Sequence, residues 1–185
     1  AILNGDEKTG VTIMHMATEL DAGDIITQAE TAIGPDEDAE TLYQRLADMG
    51  GALLISAVEQ LAAGTATRTP QEAAGVTLAP MLGRELSPID WNRSAQEIHN
   101  QVRGLIPWPT ATTDAITGDT MKILVTQQTG EQTGAPAGTV VAAGKQGIDM
   151  ACGDGKILRI VELQAAGKKR MKAADYLRGN PISIP

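Results

Sequence analysis

A chain of 185 residues with net charge −8, a single cysteine and no phenylalanine is long enough for one substantial core or two small ones. The lone Cys152 excludes an internal disulfide and fits a reducing, cytoplasmic setting. No run approaches the roughly 18 consecutive apolar residues of a membrane span, no cationic-then-apolar leader opens the chain, and no metal-ligand spacing occurs, so neither membrane nor metal is expected.

The charge is uneven. Residues 1–64 carry 12 Asp and Glu against Lys8 and Arg45, a net of −10, whereas residues 65–185 carry a net of +2. Seven bases fall within 156–178 (Lys156, Arg159, Lys168, Lys169, Arg170, Lys172, Arg178) against Glu162 and Asp175. An acidic chain with a basic end points to a polyanion meeting only that end, or to a solvated basic surface.

Ala1-Ile2-Leu3-Asn4-Gly5 reads as the last turn of a helix, stopped by Asn4-Gly5. Alternation over Val11–Met16 predicts a strand, and the turn Asp21-Ala22-Gly23-Asp24 leads to a second over Ile25–Thr31. Gly34-Pro35-Asp36-Glu37-Asp38 signals a helix start. Leu42, Leu46, Met49, Leu53, Leu54, Val58 and Leu61 then recur at helical spacing, with Gly50-Gly51 expected to split the run in two and Gly64 to end it. Residues 65–83 lack periodicity and read as a linker. Ser94-Ala95-Gln96-Glu97 fits a capping box, with Ile98, Val102 and Leu105 on the buried face of its helix and Pro107-Trp108-Pro109 as the stop. Five short strands follow, around 111–116, 121–126, 138–143, 147–151 and 157–163, which suggests a small barrel of OB-like type.

The loop after the first strand carries a carboxylate, Asp21, two residues before Gly23. At a strand end such a group can orient a histidine, fix its charge or accept a proton. It can equally close an Asx-turn. Four cations within five residues, Lys168, Lys169, Arg170 and Lys172, can clamp phosphates or merely solvate a surface. Trp108 can stack on a base or bury itself against the barrel, the latter being expected. Cys152 reads as a core thiol, and neither His15 nor His99 is assigned a role.

Thr9-Gly10-Val11-Thr12-Ile13-Met14 and Leu20-Asp21-Ala22-Gly23-Asp24-Ile25-Ile26 resemble the folate-dependent formyltransferases. Ile89-Asp90-Trp91, Ser94-Ala95, Arg103, Pro107-Trp108-Pro109, Gly153-Asp154-Gly155 and Leu163-Gln164-Ala165-Ala166-Gly167-Lys168-Lys169 resemble the C-terminal domain of the methionyl-tRNA formyltransferases. The resemblance runs from the first residues to about Asp175. It implies an α/β region followed by a mostly β one: residues 1–64 as the closing part of a Rossmann-like formyltransferase domain, 65–83 as linker, and 84–185 as an OB-like, tRNA-binding barrel. The implied reaction moves a formyl group from 10-formyltetrahydrofolate to the amine of methionyl initiator tRNA, in a cytoplasmic, monomeric enzyme of translation initiation. Asp21 then belongs to a catalytic Asn–His–Asp set, with Met16, Thr18 and Asp21 bordering the folate. The RNA-facing set implied is Arg103, Lys145, Lys168, Lys169, Arg170 and Lys172. The family's Asn-x-His and Leu-Pro-x-x-Arg-Gly motifs do not occur in these residues, so the chain alone is expected to be inactive. Two alternatives stand beside this reading: another folate-dependent formyltransferase or hydrolase, and a non-enzymatic RNA-binding module.

Overall fold

The computed structural model describes residues 1–72, 74–182 and 184; Ala73 of the expected linker and two residues of the expected barrel, Ser183 and Pro185, lie outside them. The chain forms two compact units. The smaller comprises Ala1, Asp6–Pro35 and Glu40–Met81; the larger comprises Ile2–Gly5, Asp36–Ala39 and the chain from Leu82 onward. Two short upstream pieces therefore belong to the larger unit, which the sequence boundaries did not anticipate.

In the smaller unit, β1 (Lys8–Met14) and β2 (Ile25–Ala32) form an antiparallel hairpin running from Lys8↔Ala32 to Met14↔Ile25. The first strand ends at Met14, before the expected Met16, because the His15 amide leaves the ladder and donates to the Asp24 carbonyl at 2.9 Å. Helix α1 (Ala39–Ala63) is one continuous element, not two. Gly50 and Gly51 lower helix propensity by about 1 kcal/mol each without breaking it, since each retains its place in the main-chain ladder and flanking turns propagate through. By length and composition alone α1 is apolar enough to cross a membrane. Tyr43, Ile55, Val58 and Leu61 on it are exposed. The expected linker is partly ordered: Ile25 and Thr69 exchange main-chain hydrogen bonds of 2.7 and 3.1 Å.

In the larger unit, the expected helix stub is a 3-10 turn, Ile2–Asn4. Helix α2 (Ala95–Gly104) begins with the expected capping box at Ser94 and Glu97. Its apolar stripe, Ile98, Val102 and Leu105, is buried as the spacing required. The strands are β3 (Ala111–Thr113), β4 (Met121–Gln132), β5 (Val140–Gly144), β6 (Gly147–Ala151), β7 (Lys156–Ala165) and β8 (Met171–Lys172), followed by helix α3 (Ala173–Gly179). All pair antiparallel in the order β3-β4-β7-β6-β5, with β8 alongside β7. Among the described residues no pairing joins β3 to β5, so the sheet is not a closed barrel by its ladders.

Aliphatic side chains fill the core, as a chain without phenylalanine demands: Ile98, Ile123, Ile148, Leu158, Ile160 and Leu163 are all fully buried. Trp91 joins them, its Nε1 donating to Thr113 Oγ1 at 2.9 Å. The Gly153-Asp154-Gly155 turn locks α2 to the sheet. A Cβ on Gly153 would sit 1.8 Å from the Asn92 carbonyl oxygen, so only glycine fits. Next to it, the Asp154 carboxylate accepts the Ala95 amide at the start of α2 at 3.2 Å, filling a donor that a helix N-terminus leaves open. Trp108 departs from expectation: it is 53% exposed, while Trp91 takes the core position.

Candidate functional site

The hairpin loop of residues 15–24 is shaped by three constraints. His15 N–H to Asp24 C=O closes its base. Gly23 lies against the His15 carbonyl, where a Cβ would come within 1.7 Å of oxygen. Asp21 takes the left-handed conformation, φ 56°, which Asp tolerates better than most residues. From outside the hairpin, Gln71 Nε2 donates to the carbonyls of Asp21 and Gly23, both at 2.8 Å. His15 Nε2 lies 3.3 Å from the Thr67 carbonyl, and Thr67 Oγ1 donates to Ile26 C=O at 3.0 Å. The loop is therefore pinned through its main chain by residues 67–71.

That pinning leaves its side chains outward. Met16 and Leu20 are 93% and 95% exposed, and Thr18 and Asp21 are exposed as well. Among the described residues no hydrogen bond reaches the Asp21 carboxylate. The Asx-turn alternative needed one, and Gln71 holds the turn instead. Gln71 carried no sequence signal, because it sits in a segment without periodicity and acts from 50 residues away.

The basic residues divide three ways. Lys168 and Lys169 occupy the turn of a β7–β8 hairpin, closed by Lys168 N–H to Ala165 C=O at 3.0 Å and by Gln164 Nε2 to Lys168 C=O at 2.8 Å. Both are exposed, and among the described residues neither pairs with a carboxylate. Arg170 is engaged: its Nε lies 2.5 Å from Glu162 Oε2. Lys172 is exposed and stands opposite Glu162 in the ladder. Lys145 sits exposed in the β5–β6 turn, on the rim of a groove of about 660 Å³ shared with Leu177 and Arg178 of α3.

Arg103 is the correction. Expected to face RNA, it is 7% exposed. Its Nε and Nη2 donate to Asn100 Oδ1 at 3.0 and 2.8 Å, and its Nη1 to the Glu37 carbonyl at 2.9 Å. Burial pushes its pKa down, and the Asp36 and Glu37 carboxylates oppose that shift. A guanidinium remains charged through such a shift, so this is a cation spent inside the protein, out of reach of phosphate. Cys152 is buried, and its thiol is pushed up to about 11, first by burial and then by the Asp154 charge. Among the described residues no cluster of three or more His, Cys, Asp or Glu is placed to hold a metal.

Residues 1–58 match the formyl transferase family model, and residues 81–181 match that of the formyl transferase C-terminal domain. The chain is 42% identical to the methionyl-tRNA formyltransferase of Bacillus subtilis over 179 residues, covering 97% of this chain and 56% of that protein. It is 43% identical to the one from Geobacter metallireducens, covering 96% and 56%. The chain thus spans little more than half the length of the curated relatives it matches. Among solved structures, HypX from Aquifex aeolicus in complex with tetrahydrofolic acid superposes with a TM-score of 0.69 at 20% identity, over 95% of this chain and 31% of that one. An N-formyltransferase from Helicobacter canadensis, in complex with folinic acid and dTDP-3-aminofucose, gives 0.67 at 21% identity, over 89% and 58%. At that identity the likeness is one of fold. The match over residues 1–58 covers most of α1, which gives this long apolar helix a place in a transferase domain. With both family models matched in order along one chain, the protein belongs to the formyl transferase family.

Proposed function

We propose that this chain is the later part of an enzyme that transfers a formyl group from 10-formyltetrahydrofolate to the α-amine of methionyl initiator tRNA. The observation that carries the reading is the roughly 42% identity to proteins named methionyl-tRNA formyltransferase, sustained over 97% of the chain. In this reading residues 1–64 close the transferase domain, 65–83 connect, and 84–185 form an OB-like domain, its sheet left open between β3 and β5, that holds tRNA in a monomeric, cytoplasmic enzyme.

The amine nitrogen attacks the formyl carbon, a tetrahedral intermediate forms, and the bond from that carbon to the folate N10 breaks as a proton passes from the amine to N10. Asn and His from the family's upstream motif stabilise the oxyanion. Asp21 orients that His and sets its charge. What supports this role is the outward carboxylate on a loop whose turn is held by Gln71 instead. Exposed Met16 and Thr18 on the same loop supply one wall against the folate ring. Lys168 and Lys169, with Lys172, Arg170 and Lys145 around α3, meet the tRNA phosphates, positioning it without reading bases.

The test is Asp21→Asn in an enzyme that carries this chain behind the upstream segment of its relatives. The change keeps shape and removes charge, so kcat should fall about 10²–10⁴-fold while substrate KM changes much less. A rate within about threefold of the parent would remove Asp21 from the proposed catalytic set. A sugar N-formyltransferase is the second reading, favoured by fold likeness to the Helicobacter canadensis enzyme; formyl transfer to a nucleotide-linked amino sugar, without transfer to methionyl-tRNA, would select it.

A further inference from the structure

The Asp21 loop and the residues that hold it all belong to the smaller unit. Segment 67–71 runs beside the start of β2. The main-chain bonds exchanged by Ile25 and Thr69 fix its register, Thr67 Oγ1 donates to the Ile26 carbonyl at 3.0 Å, and Arg68 Nη1 lies 3.5 Å from Asp24 Oδ2. Two residues past Thr69, the Gln71 side chain reaches the loop. Its Nε2 carries two hydrogens, and two carbonyls receive them, those of Asp21 and Gly23, each at 2.8 Å. The Met14 sulfur lies 3.5 Å from the same nitrogen. One amide therefore spans the turn from residue 21 to residue 23.

The left-handed backbone of Asp21, φ 56°, is one that a residue other than glycine keeps only where its surroundings hold it. Where the Asp21 side chain can point follows from that backbone, because φ and ψ decide which rotamers are open. Among the described residues no hydrogen bond reaches its carboxylate, so the main chain is what aims it. Gln71 is itself exposed, and exposed side chains rarely decide overall stability. Both of its bonds go to the one turn that carries Asp21. We infer, on the proposed role of Asp21, that Gln71 is a positioning residue for formyl transfer: its amide fixes the carbonyls of Asp21 and Gly23 and so aims the Asp21 carboxylate at the reacting groups. Such groups must be held closely, since a displacement of about 1 Å can cost on the order of a hundredfold in rate.

The test uses the enzyme completed upstream, with Gln71→Ala, Gln71→Glu and Asp21→Asn made singly and Gln71→Ala also combined with Asp21→Asn. Gln71→Ala removes both donors. Gln71→Glu keeps length and shape but turns oxygens toward the two carbonyls, and it decides the matter if Gln71→Ala does not fold. Each should lower kcat about tenfold, with KM for methionyl-tRNA within about twofold. A residue that acts through Asp21 has nothing left to aim once the carboxylate is gone. Adding Gln71→Ala to Asp21→Asn should therefore slow the enzyme by no more than about twofold beyond Asp21→Asn alone. A full tenfold drop in that background would overturn the inference. So would parental kcat in either Gln71 variant, a loss confined to KM, or failure of both variants to fold. Asp21→Asn separates the two claims. At the parental rate it removes the carboxylate from catalysis and the positioning role with it. Strongly slowed, beside a fully active Gln71→Ala, it removes the positioning role alone.

Discussion

At the start of α2 one carboxylate does two jobs. Glu97 Oε2 accepts the Ser94 hydroxyl at 2.7 Å and the Ser94 amide at 3.0 Å, while Ser94 Oγ accepts the Glu97 amide at 3.3 Å. The Ser94 hydroxyl, then its amide, then Arg93 hold the Glu97 carboxyl down at about 2. A depressed acid stabilises the fold above its unfolded pKa, near 4.5, and loses that contribution as pH falls through about 2. Ser94→Ala should therefore destabilise the fold at neutral pH, and its gap from the parent in urea titrations should narrow toward pH 2. An equal gap at pH 7 and pH 2 would show that the carboxylate contributes nothing. Cys152 runs the opposite way. Its thiol is raised from 9.0 to about 11, so the folded form prefers the neutral state. Stability from that source is complete below the unfolded pKa and is lost as pH rises from about 9 through about 11. At pH 8 its thiolate fraction is about a hundredfold below that of a free thiol, and burial adds to the protection. Native protein should resist a disulfide reagent that labels the unfolded chain at once; equal labelling rates would refute the burial.

Element by element, what the sequence revealed tracks the range of the forces involved. The α2 stripe and its capping box were legible because they are local and periodic, and β6 emerged with its bounds intact at 147–151. Arg103 was misassigned because its partners, Asn100 aside, come from the distant Glu37, and a buried cation looks like a surface one in sequence. Trp108, expected to be buried, is instead exposed, while Trp91 is buried, for the same reason: nothing local says which of two tryptophans reaches a sheet. Strand β8 was missed because two residues carry no pattern, and their pairing to Glu162 and Leu163 is decided by the tight turn between. That pairing changes the meaning of the basic run. Lys168 and Lys169 project from the turn, whereas Arg170 is already matched to Glu162. Each phosphate contact steepens the fall of log affinity with log salt by about one unit. Changing Lys168 and Lys169 together to Ala should flatten the slope for tRNA by about 2, while Arg170→Ala alone should flatten it by clearly less than one. Binding titrations at several salt concentrations measure both. Equal effects of Arg170 and either lysine would mean that the Glu162 pair does not persist in solution.

On the scale of the whole molecule, charge and chemistry are partitioned along the chain. Residues 1–64, with a net of −10, carry the loop proposed to meet folate, and residues 65–185, with a net of +2, carry the cations proposed to meet RNA. Such an asymmetry steers a polyanion toward one part of a protein and away from another. It also separates binding from turnover in a way that can be measured on the 185-residue chain itself. Catalysis by the proposed route needs donors fixed around the developing oxyanion, and the Asn-x-His motif proposed to supply them is not among these residues. RNA binding needs only the cations and the sheet that presents them, which the larger unit contains together with its own core. The 185-residue chain should therefore bind methionyl initiator tRNA with an affinity that declines steeply with salt, and should produce no formyl-methionyl-tRNA from 10-formyltetrahydrofolate above the uncatalysed background. Joining it to the upstream segment of a relative should restore turnover while leaving the salt slope within about one unit. Turnover by the chain alone would place the oxyanion donors within these residues and displace the Asn–His–Asp reading. Absence of salt-dependent binding, with the chain folded by circular dichroism, would strip the larger unit of its RNA-binding role, and the hairpin lysines would then be a solvated turn and nothing more.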